Sequence, residues 1–203
     1  MIFPDFFAAA PRLRVRDPLA DFLGAASDGV LEYGYADAVK LAGHSCPTVA
    51  SAYLLTRRAL QALYPEALPE RGGIRVTFAN RQDEGVTGVI ASIVGLLTGA
   101  AGCGGFAGIG PHFSRRELLA FAGELPLAMR FQRLDNGQAV DAAADLSAIP
   151  ADPRMAPLLG RCLRDEATPQ ERQLFGALWQ ERVRRILIEH ADDPLTFHIV
   201  AAD

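Results

Sequence analysis

The sequence predicts an α+β domain: a mixed or antiparallel sheet packed with helices around a glycine-rich central helix, with a C-terminal helical extension. Three observations carry this. Helical and strand patterns follow one another without the regular β-α-β rhythm of a doubly wound sheet. Residues 127–143 read as two strands, LAMRFQRL and QAVDAA, around Asp135-Asn136-Gly137, and Asn and Gly tolerate the positive φ of a tight hairpin. Residues 85–98 are uncharged and mostly apolar, with Gly88, Ser92 and Gly95 marking a slim face that another backbone can approach closely.

The elements follow in order. The first 30 residues read as an arm or one short helix, closed by a turn at Ser27-Asp28-Gly29, and residues 31–41 as a helical turn released by Gly43. Proline suits the first position of a helix, where its missing amide has no intrahelical partner anyway. Pro47 therefore makes Cys46 an N-cap and 47–63 a helix, with Val49, Tyr53 and Leu60 on its apolar stripe. Two prolines and a glycine pair in YPEALPERGG end it. Ile74, Val76 and Phe78 then alternate with Arg75, Thr77 and Ala79, a strand pattern. Ser114 stands three residues before Glu117, the spacing of a capping box, and predicts a short helix from about 115. A short helix over 153–165 follows. Thr168, Pro169 and Glu171 cap a long one to about 190, whose Leu174, Phe175, Leu178, Trp179, Val183, Ile186 and Leu187 form a packing stripe. LTFHIVAA returns to strand character. The resulting organisation is an arm over 1–30, a core over 31–145, and a helical extension with a terminal strand over 146–203.

With 203 residues, half of them apolar and 22% charged, the chain is long enough to bury a core without metal or disulfide staples. A net charge of −4 with scattered arginines lacks the basic stripe of a nucleic-acid binder. Nucleic acid is not an expected partner. Three cysteines at 46, 103 and 162 make no secreted disulfide framework, and no positively charged leader precedes an apolar run. A cytoplasmic location is expected. Residues 85–114 carry no charge, but their nine glycines read as a helix followed by a buried loop, with no stable membrane insertion.

The chemistry concentrates in His44-Ser45-Cys46. Imidazole and thiolate at this spacing can share one borderline metal. A thiol near a helix N-terminus is also favoured as thiolate by unpaired amides, and a packed cysteine beside a loop-capping histidine needs no chemistry at all. These three readings stay open on the residues alone. A metal needs further ligands, and Cys103, in AGCGGFAG, is the preferred third, with His112 or water as the fourth. Cys162, His190 and His198 fall in a helix, a helix end and a strand, where structural roles suffice. Asp83 and Glu84, in NRQDEGVTG after the strand, are placed to ligate metal, orient His44 or act as a base, or simply to favour a helix N-terminus. The glycine run lacks the spacing, lysine and hydroxyl of a P-loop.

Three segments, GHSCPTVASAY, NRQDEGVTGVIASIVGLLTGAA and GCGGFAGIGPHFSRRELLAF, in this order, resemble the FmdE-like family over roughly residues 35–145. That family comprises one component of formylmethanofuran dehydrogenase and its stand-alone relatives. The resemblance implies an α+β homodimer that binds zinc. His44, Cys46 and Cys103 match the family's metal-binding positions, with the remaining position left to His112, an acid, water or a ligand. It implies zinc-assisted chemistry on a small carbonyl-containing ligand, with Asp83 or Glu84 as proton acceptor. The alternatives are an accessory or ligand-binding module with a structural metal, or a metal-free cysteine-dependent enzyme. The chain departs from the family where Ala42 replaces a histidine that many relatives carry, and where the second glycine-rich element has no lysine. Formylmethanofuran oxidation itself requires redox partners of which this chain shows no sign.

Overall fold

The computed structural model describes residues 3–202. A short helix, α1 (Phe6–Ala9), leads into β1 (Leu13–Arg16), α2 (Pro18–Phe22), a single 3-10 turn at Ser27–Gly29 and β2 (Val30–Tyr33). β1 and β2 form a separate antiparallel pair with Leu13 opposite Tyr33 and Arg16 opposite Val30. The helical turn predicted from residue 31 is therefore corrected at its start. Val30 to Tyr33 give their backbone to β1, and the helix α3 (Tyr35–Ala42) begins only after Gly34, whose amide donates to the Asp37 carboxylate at 2.9 Å.

α4 (Pro47–Leu63) starts where Cys46 and Pro47 predict, with Cys46 in extended conformation as its N-cap. Residues 49–56 are all buried, so these two turns of α4 are covered on every side, while Arg57, Arg58 and Gln61 give its C-terminal part a polar side. It packs on the main sheet and against α3 and α5 (Thr87–Thr98). α5 buries Ala91, Ile93, Val94 and Leu97 and leaves Val89 and Ser92 exposed. At Gly88 and Gly95 the close neighbours are the chain's own flanking carbonyls, those of Gln82 and Ala100.

The sheet has five strands in the order β4 (Leu119–Ala120), β3 (Ile74–Phe78), β5 (Met129–Arg133), β6 (Ala139–Ala144), β7 (Phe197–Ala202). β3 and β4 are parallel, and the other pairs are antiparallel, which makes the architecture α+β with a mixed sheet. The hairpin read from Asp135-Asn136-Gly137 joins β5 to β6, with Gly137 at φ 75°. The C-terminal segment contributes α6 (Met155–Leu163) and α7 (Pro169–Arg184), a π-helical turn at Arg185–Glu189, and β7. Thr168 and Glu171 make the reciprocal capping bonds predicted for α7, Thr168 N–H to Glu171 Oε2 at 2.8 Å and Glu171 N–H to Thr168 Oγ1 at 3.2 Å.

The helix predicted near 115 does not form. Glu117 sits at φ 57°, outside helical space, and Arg115 is drawn into the protein interior. Among the described residues no helix is long and apolar enough to cross a membrane. The uncharged stretch 85–114 divides into α5 and an irregular loop.

Candidate functional site

α3 stops at Ala42 because Gly43 takes a left-handed conformation, φ 75°, that a side chain would resist. His44 follows, exposed, with Nδ1 3.0 Å from the Ala42 carbonyl oxygen. A carbonyl only accepts, so Nδ1 carries the proton and Nε2 keeps the free lone pair of the neutral ring. Two residues on, Cys46 is 8% exposed, and its Sγ accepts the Val49 amide at 3.4 Å. Sulfur here occupies the capping role that serine, asparagine or aspartate normally fills.

Ser45, between them, is the most heavily bonded residue of the loop. Its Oγ donates to Gln180 Oε1 at 2.9 Å and lies 2.9 Å from the Tyr35 hydroxyl. With the serine proton engaged by Gln180, Tyr35 is the donor in the second contact. The Ser45 carbonyl accepts from Trp179 Nε1 at 2.9 Å and from Gln180 Nε2 at 3.4 Å. Tyr35 is fully buried, and burial pushes its hydroxyl well above the usual tyrosine range, so it remains a proton donor. No local spacing connects residue 45 with 179 and 180. The long-helix pattern identifies Trp179 only as part of a packing stripe.

Cys103 and His112 lie in the loop that follows α5, and both are exposed. This loop is held by its own backbone, with Ala101 N–H to Arg115 O at 3.0 Å and Arg115 N–H to Phe106 O at 2.9 Å. It is also held by a buried charge cluster that no sequence spacing signals. Arg115 Nη2 donates to Asp17 Oδ1 and Arg71 Nη1 to Asp17 Oδ2, each at 2.7 Å. Burial alone would raise the Asp17 carboxyl, but the Arg71 hydrogen bond and the Arg115 charge outweigh it and hold the group below its ordinary value. The Arg115 guanidinium runs across Gly72, where an added Cβ would stand 1.4 Å from Nη1. Only glycine fits there.

The two loops belong to different ends of α4. Cys46 opens this helix of 17 residues, a length of about 25 Å. The glycine-rich loop is tied instead to the segment beyond its other end, through Gly72 N–H to Thr98 O at 2.7 Å and through Arg71 and Arg115. Among the described residues no group of three or more His, Cys, Asp or Glu is arranged to hold a metal ion. Among the described residues of one chain, His44, Cys46, Cys103 and His112 are therefore not gathered into a group of three or more.

Asp83 is exposed and engaged by Arg81 in two contacts, at 3.0 and 2.9 Å. That hydrogen bonding lowers its carboxyl below the ordinary value and makes it a weak proton acceptor. Glu84 instead borders a cavity of about 300 Å³ beyond the end of β3, with Phe78, Asn80, Thr87, Ile90 and Met129. A larger depression of about 690 Å³ lies between residues 64–73 and the β5–β6 hairpin. Its two arginines are already paired, Arg16 with Asp21 and Arg133 with Asp135. His190 bonds Asp193 at 3.0 Å in the turn before β7, and Cys162 is half-buried in α6. Both positions agree with structural roles. The chain matches no protein-family model and no curated protein sequence.

Proposed function

We propose that this chain is a cytoplasmic metal-binding protein, similar to the stand-alone members of the FmdE-like family, that takes zinc between two copies of itself. His44 and Cys46 of one copy supply two ligands and Cys103 of the other the third, with the fourth position left to His112, an acid, water or a ligand. The observation that carries this reading is the His44 bond to Ala42, which in the neutral ring leaves Nε2 as the free lone pair two residues from a cysteine sulfur. Metal-bound histidines are oriented in the same way, by donating the other ring nitrogen to a carbonyl or carboxylate. A zinc ion with one open position would polarise the carbonyl of a small ligand. Of the two acidic candidates, Glu84 is the one that faces a cavity, and it is the proton acceptor in this reading.

Elemental analysis of untagged protein, joined to its solution mass, tests the reading. Expected are a dimer with about one zinc per chain, and loss of zinc in both H44A and C46A. Mixing C46A with C103A then restores one intact site of the two in each mixed dimer. Full zinc in C46A would sink the ligand assignment. A metal-free wild-type protein with selective modification of Cys46 would favour the thiol enzyme, for which the Val49 amide on Sγ is the supporting contact.

A further inference from the structure

α7 has one buried residue, Val183, yet two adjacent side chains of this helix bind the same peptide unit of the core. Trp179 and Gln180 both donate to the Ser45 carbonyl, and Gln180 also accepts from Ser45 Oγ. A carbonyl and the following amide share one plane. Fixing the Ser45 carbonyl therefore fixes the peptide plane from which Cys46 departs, one step before the Sγ that accepts the Val49 amide. The loop's own fastenings, besides the Tyr35 contact, are His44 on Ala42 and Val49 on Cys46.

We propose that Trp179 and Gln180 are positioning residues that set how His44 and Cys46 face a ligand, which makes the C-terminal extension part of the site. The proposal rests on the reading of His44 and Cys46 as the ligand pair. Trp179 is also the single tryptophan of the chain, so its fluorescence reports directly on the Ser45 peptide.

The test uses the full-length chain freed of metal by a chelator. Cys46 alkylation by iodoacetamide is followed peptide by peptide, with Cys103 and Cys162 of the same molecules as internal references. Tryptophan emission is followed during titration with zinc. Q180L should raise the Cys46 rate about tenfold, the effect of losing about two net hydrogen bonds, with the reference cysteines unchanged. Q180E keeps the acceptor for Ser45 Oγ and should fall between Q180L and wild type. The emission of wild-type protein should shift with zinc, and that of C46A should not. Wild-type Cys46 rates in both Q180L and W179F, with only the melting temperature lowered, would overturn the proposal and leave α7 a packing element. The alkylation readout needs no metal. Full zinc in C46A together with a Q180L effect on Cys46 would therefore reject the ligand assignment while leaving the positioning of Cys46 by α7 in place.

Discussion

The loop before α4 and the loop after α5 each carry one histidine and one cysteine, and they are held by opposite kinds of force. His44-Ser45-Cys46 is fixed by neutral hydrogen bonds, several of them from a helix 134 and 135 residues away in sequence. The Cys103–His112 loop is fixed by its own backbone and by Arg115 on a buried carboxylate. Neutral bonds contribute modestly each and exchange readily with water. A buried charge pair, once half removed, leaves an uncompensated charge. The first loop can therefore be loosened one contact at a time, whereas the second loses a large part of its anchoring at once with Asp17.

The largest effect expected from this contrast is that of Asp17→Asn, which strips two arginines of their partner at a site where Asp17 is 3% exposed. Urea denaturation should show a loss of about 3–5 kcal/mol. The outcome that would break the comparison is a loss no larger than that of a surface pair. Acid should reproduce part of it. The folded-state carboxyl of Asp17 is held below its ordinary value of 3.8, so its contribution is complete above that value and disappears as pH falls through the lower, folded one. Hydrogen exchange followed as pH falls from 3.8 through the folded-state value should accordingly open amides of the 100–118 loop before those of residues 44–49. Equal protection of both loops once Asp17 is protonated would contradict the assignment of forces.

Ser45→Ala comes next. It removes the oxygen shared by Tyr35 and Gln180 and leaves a buried tyrosine hydroxyl without its partner, at a cost of about 1–3 kcal/mol. The accompanying red shift of Trp179 emission distinguishes local release from general weakening. Asp83→Ala should do least. Its side chain is 71% exposed and paired with the equally exposed Arg81, so neither the melting temperature nor zinc content should change. A loss of zinc in D83A would return Asp83 to the ligand set.

Where the physical cause is local, the sequence is a sufficient guide. Cys46 before Pro47, Thr168 with Glu171, and Asn136-Gly137 each act within three or four residues, and each begins or turns its element as expected. The same rules mislead at Ser114 and Glu117. Their spacing satisfies a capping box, but Arg115 between them reaches Asp17, 98 residues earlier, and a buried ion pair outweighs the contribution of one cap. The helical turn expected over residues 31–41 fails at its start for a related reason. Val30 to Tyr33 are a strand only because β1 lies beside them.

The candidate site divides along the same line. The residue types able to bind metal, the capping role of Cys46 and the glycine-rich character of the second loop were all determined by the sequence alone, because they depend on side-chain chemistry and on neighbours within one helical turn. Which of those residues meet was decided by the tertiary structure. The length of α4 separates Cys46 from the end where the second loop is anchored, α7 folds back onto Ser45, and Gly72 leaves the space that Arg115 fills. Each of these relations joins segments far apart in the chain, and their energies exist only once the sheet and α4 have brought those segments together.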